Sequence, residues 1–95
     1  MNSYEAVFIL KDNLDKESQE KVIEDIKGVI AKNKGEIEQV QAWGKRKFTF
    51  LIKKQSEGFY YLVLFKLAPA AVRKVESVFK LNDLILRVLI IAKKA

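Results

Sequence analysis

Apolar positions along this chain follow two rhythms. From Tyr4 to Leu10 they alternate: Tyr4, Ala6, Phe8 and Leu10 lie on one face, and Glu5, Val7 and Ile9 on the other. A strand apolar on both faces belongs in the middle of a sheet. Past the loop Lys11-Asp12-Asn13-Leu14 the spacing becomes helical. Val22, Ile23, Ile26, Val29 and Ile30 make one stripe of a helix that Asp15 caps, that carries Glu17 in its first turn, and that runs to about Lys34 with Gly35 as its stop. The opposite face mixes Glu20, Lys21, Glu24, Asp25 and Lys27, which suits solvent. Alternation returns from Glu36 to Trp43 and continues through Gly44, where a bulge or bend is expected, to Lys54. Phe48, Phe50 and Ile52 read as a core-facing row. A turn at Gln55-Ser56-Glu57-Gly58 leads into Phe59 to Phe65, so the centre of the chain is a β-hairpin. Ala68-Pro69 then opens a second helix with a buried stripe of Val72, Val75, Phe79 and either Val78 or Leu81. Asn82-Asp83 ends it, and Leu84 to Ala92 is the last strand.

The order β-α-β-β-α-β is that of the α+β, ferredoxin-like plan: a four-stranded antiparallel sheet with two helices on one face. Its 95 residues suffice for one domain, residues 1–95, burying roughly 60 to 70 per cent of the unfolded surface. Two helices cover only one sheet face, yet three strands are apolar on both, as in Tyr60, Leu62 and Leu64 against Phe59, Tyr61, Val63 and Phe65. An apolar sheet face left open predicts a protein partner.

Charge adds a second surface. Residues 1–41 carry a balance of −3 and residues 42–95 one of +9, and the net charge is +6. A basic excess gathered around the hairpin points to a polyanion, and nucleic acid fits better than a membrane, because neither helix pairs a basic face with a wide apolar one. The apolar runs are too short to span a bilayer, and the amino terminus lacks the pattern of a secretory signal, so a cytoplasmic protein is expected. Without His or Cys, the nucleophilic systems built on those residues and the usual zinc or haem ligands are absent. No phosphate-cradling Gly loop occurs, and the carboxylates Asp12, Asp15, Glu17 and Glu20 read as helix-end charges. Neither an enzyme, nor a cofactor, nor a small-molecule substrate is expected. Acylphosphatases share the architecture but place an Arg in the loop after the first strand, where this chain has Lys11-Asp12-Asn13-Leu14-Asp15. RNA-recognition motifs share it too, but Glu57-Gly58-Phe59-Tyr60-Tyr61 departs from their pattern at the basic and small positions, and Phe59, Tyr61 and Phe65 read as core.

A closer likeness runs through nearly the whole chain. Tyr4-Glu5, Asn13-Leu14-Asp15, the segment Gly44 to Lys53, Gly58 with its aromatic pair, Pro69, Leu81-Asn82-Asp83 and Arg87 together resemble the family of the sixth protein of the bacterial small ribosomal subunit. Within the signature segment, Phe48 stands for Leu, Thr49 for a small residue and Phe50 for Tyr. The resemblance implies a structural ribosomal protein that binds the central domain of small-subunit ribosomal RNA together with the eighteenth protein of that subunit.

Candidate RNA contacts are Lys45, Arg46 and Lys47 at the strand entrance, Arg87 on the last strand, Lys80 near the end of the second helix, and Asn2, Ser3 and Tyr4. The cations neutralise phosphate, and Tyr4 offers a ring for stacking or a hydroxyl for hydrogen bonding. Lys93 and Lys94 are either further contacts or solvated tail charge. Trp43 and the open sheet face are the candidates for the partner protein. Two other readings of the same features are a free-standing binder of single-stranded RNA, stacking bases on Tyr60 or Tyr61, and a ferredoxin-like oligomerisation or regulatory module that self-associates through the open face.

Overall fold

The computed structural model describes residues 1–52 and 55–93, and for residues 49–52 the backbone alone. The elements are β1 (Asn2–Lys11), α1 (Lys16–Lys32), β2 (Glu36–Ile52), β3 (Gln55–Leu67), a 3-10 turn (Pro69–Ala71) running into α2 (Val72–Lys80), and β4 (Ile85–Ala92). The sheet is antiparallel throughout, in the order β2-β3-β1-β4. Both helices pack on one face, giving the expected ferredoxin-like α+β fold. As its two apolar faces required, β1 is an inner strand.

The alternation in β1 determines what the core contains. Tyr4, Ala6, Phe8 and Leu10 point to the helices and join Val63, Phe65 and Leu67 of β3. The stripe of α1 meets them with Val22, Ile23, Ile26 and Ile30, and α2 with Val75 and Phe79. Phe79 sets its ring edge-on to Phe8, centroids 5.0 Å apart, which ties the short α2 to the centre of the sheet. Each large side chain fully buried in this way contributes about 1.5–3 kcal/mol.

Both ends of α1 are closed by side chains. Asp15 accepts the Ser18 backbone N–H at 2.8 Å. That bond to the backbone, with a smaller one from the Ser18 side chain, holds the Asp15 carboxyl below its ordinary 3.8, so the cap's stabilisation is present above that pH and is lost on acidification. At the other end Asn33 donates its side-chain amide to the Val29 carbonyl at 2.8 Å, and Gly35 N–H reaches back to Ile30 at 2.9 Å. The left-handed residue here is Lys34, with φ of 65°, just before the expected stop at Gly35. Gly35 serves a different purpose: a Cβ there would lie 2.7 Å from both Ile30 Cγ2 and the Lys66 carbonyl oxygen.

Two further expectations need correction. The hairpin does not turn at Gln55-Ser56-Glu57-Gly58, since those residues already pair as strand β3, with Gln55 opposite Ile52 and Glu57 opposite Lys47. Strand β2 ends at Ile52 and β3 begins at Gln55; Lys53 and Lys54 lie outside the described residues. In α2 neither Val78 nor Leu81 completes the buried stripe: they are 40% and 81% exposed. The helix has nine residues, and Val75 with Phe79, four apart, already fill the space over the sheet, with Val72 partly buried beside them.

One polar link runs through the layer between α1 and β3. Tyr61 donates its hydroxyl to Gln19 Oε1 at 2.8 Å, and the buried Gln19 donates in turn to the Leu14 carbonyl at 3.1 Å. Burial, and then the Glu20 carboxylate, hold the Tyr61 phenol above its usual 10.0. Tyr61→Phe leaves the buried Gln19 oxygen without this donor and is expected to lower stability by about 1–2 kcal/mol in urea unfolding. A folded-state value above the unfolded one favours folding below pH 10 and loses that contribution as pH rises through the folded value. The variant's unfolding midpoint is therefore expected to fall less between pH 9 and pH 11 than that of the wild type.

Candidate nucleic-acid interface

Opposite residues on antiparallel strands share a face, so the strand registers give the open face row by row. One row reads Gln41, Leu62, Val7, Leu89 across β2, β3, β1 and β4, and the next toward the amino end of β1 reads Gln39, Leu64, Glu5, Ile91. On the other side lies Gly44, Tyr60, Ile9, Arg87, followed by Arg46, Gly58, Lys11. The face is therefore an apolar strip of Leu62, Leu64, Val7, Leu89 and Ile91, with cations gathered at one end. Leu89 and Ile91 are 40% and 52% exposed. Val7, Ile9, Arg87 and Leu89 line a shallow depression on this face.

At the basic corner the backbone sets the arrangement. Between Ala42 and Gly44 the β2–β3 register shifts by one residue, and Gly44 takes φ of 85°, a left-handed conformation that disfavours any residue with a Cβ. This is the bulge the sequence predicted. It leaves Trp43 as the extra residue, 38% exposed, its indole N–H donating to Gln41 Oε1 at 3.3 Å. Two residues past the bulge, Arg46 stands opposite Gly58. No side chain faces it there, and its guanidinium lies 5.3 Å from the Trp43 ring centre and 5.8 Å from that of Tyr60. Phe48 packs against Tyr60 at a tilt, centroids 6.0 Å apart. The expected core-facing row is thus corrected at Phe48, which shares the face of Arg46 and fills, with Ile9, the space beside Gly58. The inward orientation expected of Phe50 and Ile52 concerns side chains outside the described residues.

The predicted cations divide. Strand alternation turns Lys45 to the helix side, where it pairs with Glu57 at 3.4 Å and lies 5.8 Å from the Phe59 ring centre. Lys47 stands opposite Glu57. Lys80 is paired with Glu76 at 3.6 Å and shares a groove along the outer edge of β4 with Arg87. Among the described residues, Arg46 and Arg87 have no carboxylate within ion-pair distance, so their charge is fully available to an anion.

Asn2, Ser3 and Tyr4 lie elsewhere. Asn2 and Ser3 pair with Leu67 and Lys66, whereas the Arg46 row is at Gly58; eight residues of β3 put the two groups roughly 25 Å apart. Ser3 accepts the Lys93 backbone N–H at 2.8 Å, and Lys94 lies outside the described residues. The stacking expected of Tyr4 is corrected: its ring is 6% exposed and already lies on Phe65, centroids 5.7 Å apart. Sequence reading missed Lys11, taken for a loop residue, and the part of Tyr60 and Phe48 in this corner. Only the register, which carries Gly58 opposite both Arg46 and Lys11, brings them together.

The family profile described as Ribosomal protein S6 matches residues 3–92. The small ribosomal subunit protein bS6 of Clostridium novyi is 42% identical over 91 residues, 96% of each chain. That of Caldanaerobacter subterraneus subsp. tengcongensis is 41% identical over the same share. Among solved structures, the 30S ribosomal protein S6 of Thermotoga maritima superposes with a TM-score of 0.90 at 30% identity, covering 97% of this chain and 87% of that one.

Proposed function

The chain belongs to the ribosomal protein S6 family, and from that premise we propose that it acts as a single domain binding the central domain of small-subunit ribosomal RNA together with the eighteenth protein of that subunit. Membership makes it a structural protein of the small subunit of the cytoplasmic ribosome and not an enzyme. No helix among the described residues is long and apolar enough to cross a membrane.

The observation that carries the proposal is the composition of the open face. Arg46 and Arg87, without acid partners among the described residues, stand at one end of an apolar strip that no other described residue covers. Phosphates attract the cations, and a protein surface offers the strip the burial that water does not. Lys45 and Lys47 add positive potential beside Arg46, and Lys80 beside Arg87, with Lys45 and Lys80 already shared with Glu57 and Glu76. Asn2 and Ser3, at the far end, fit a separate contact with RNA backbone.

The test is equilibrium binding to central-domain ribosomal RNA over a salt series, with and without the partner protein, beside an unrelated RNA of equal length. Specific binding that is strong only with the partner is expected. Arg46→Ala should flatten the slope of log affinity against log salt by about one. Equal affinity for both RNAs, indifferent to the partner, would leave only a generic basic domain.

A further inference from the structure

The sequence makes Trp43 a candidate for the partner protein, and in the structure it is exposed. Its surroundings assign it differently. The bulge at Trp43 and Gly44 sets the indole beside the strand, and the 3.3 Å bond to Gln41 limits its rotation. Arg46 opposes a glycine, which has no side chain of its own to meet it, and the guanidinium lies over two rings, Trp43 at 5.3 Å and Tyr60 at 5.8 Å. Tyr60 is itself held by Phe48. A guanidinium against aromatic faces uses its π surface and leaves its N–H groups free, whereas a carboxylate partner would occupy them. Lys45 and Lys80 have such partners; Arg46 has none among the described residues.

We propose that Trp43 is a positioning residue for Arg46: together with Tyr60 it holds the guanidinium in place so that its N–H fork pairs with an RNA phosphate. The inference rests on the RNA-binding reading above and deepens it. A flexible Arg loses side-chain entropy when it binds phosphate, and one already held between rings loses less. Lysine at the same position keeps the charge but has neither the plane that stacks nor the fork that pairs bidentately.

A double-mutant cycle on the full chain, with the partner protein present and central-domain RNA as the probe, tests this. Trp43→Ala is expected to weaken binding about two- to fivefold, and Arg46→Ala about tenfold. The double variant should bind no more weakly than Arg46→Ala alone, because Trp43 acts only through Arg46. Trp43→Phe should keep most of the affinity, and Arg46→Lys should lose nearly as much as Arg46→Ala. A readout without RNA supports the cycle: Trp43 is the single tryptophan, and its emission in the free protein should change in Arg46→Ala. If the Trp43→Ala loss persists in full in the Arg46→Ala background, or the emission does not change, Trp43 meets RNA or protein by itself and the inference fails. If the wild type does not bind this RNA, the reading beneath it fails as well, and the two failures are told apart by that one control.

Discussion

Gly58→Val is expected to destabilise the chain by about 3 kcal/mol or more, a large part of the roughly 5–15 kcal/mol that holds a domain of this size folded. A Cβ at Gly58 would lie 2.6 Å from the Leu10 carbonyl oxygen and 2.8 Å from Ile9 Cγ2. Leu10 belongs to β1, which is hydrogen-bonded on both sides, so its backbone cannot move away without breaking the pairing with β4 as well as with β3. Gly44→Ala is the control. Nothing lies within 4 Å of a Cβ there, and only the left-handed φ of 85° is penalised, at about 1 kcal/mol. Urea unfolding of the two variants beside the wild type separates the cases. Equal midpoints for both would mean that Gly58 is not pressed against β1.

Leu89→Glu is expected to lower affinity for the partner protein about a hundredfold while leaving the fold stable. Leu89 is 40% exposed at the edge of the apolar strip, in the row of Val7, Leu62 and Gln41, so the free protein leaves a glutamate there in water. Docking a protein onto the strip buries that charge without a partner, at a cost of several kcal/mol. Leu81→Glu serves as the comparison: Leu81 is more exposed but follows α2, on the helix side, and its replacement should leave the complex intact. Titration calorimetry with the partner protein measures both. Loss of affinity in Leu81→Glu instead would move the protein interface to the helices.

The element order, the α1 stripe, the Asp15 cap and the Gly44 bulge were all legible in the sequence, because each depends on residues close together in the chain. Three misreadings share a cause. Gly58 reads as a turn residue, yet it is glycine because β1 comes too close for a Cβ, and only the folded neighbours reveal that. The adjacent cations Lys45 and Arg46 read as one cluster, but alternation sends Lys45 to Glu57 on the helix side and Arg46 to Trp43 and Tyr60 on the open face. Tyr4 looked available to a nucleobase because tyrosine is amphipathic; its position in the inward row of β1 decided otherwise.

The central place of β1 also sets a timetable for synthesis. The first strand to leave the ribosome has both its neighbours far downstream, in Gln55–Leu67 and Ile85–Ala92. At typical translation rates, roughly 4 to 15 s separate the appearance of Lys11 from that of Ile85. During that interval Phe8 and Leu10 lack one side of their sheet, and α1, whose apolar stripe packs on that sheet, has no complete surface to cover. The nascent chain therefore cannot lock in its amino-terminal half first, and its fold closes only when the last strand arrives.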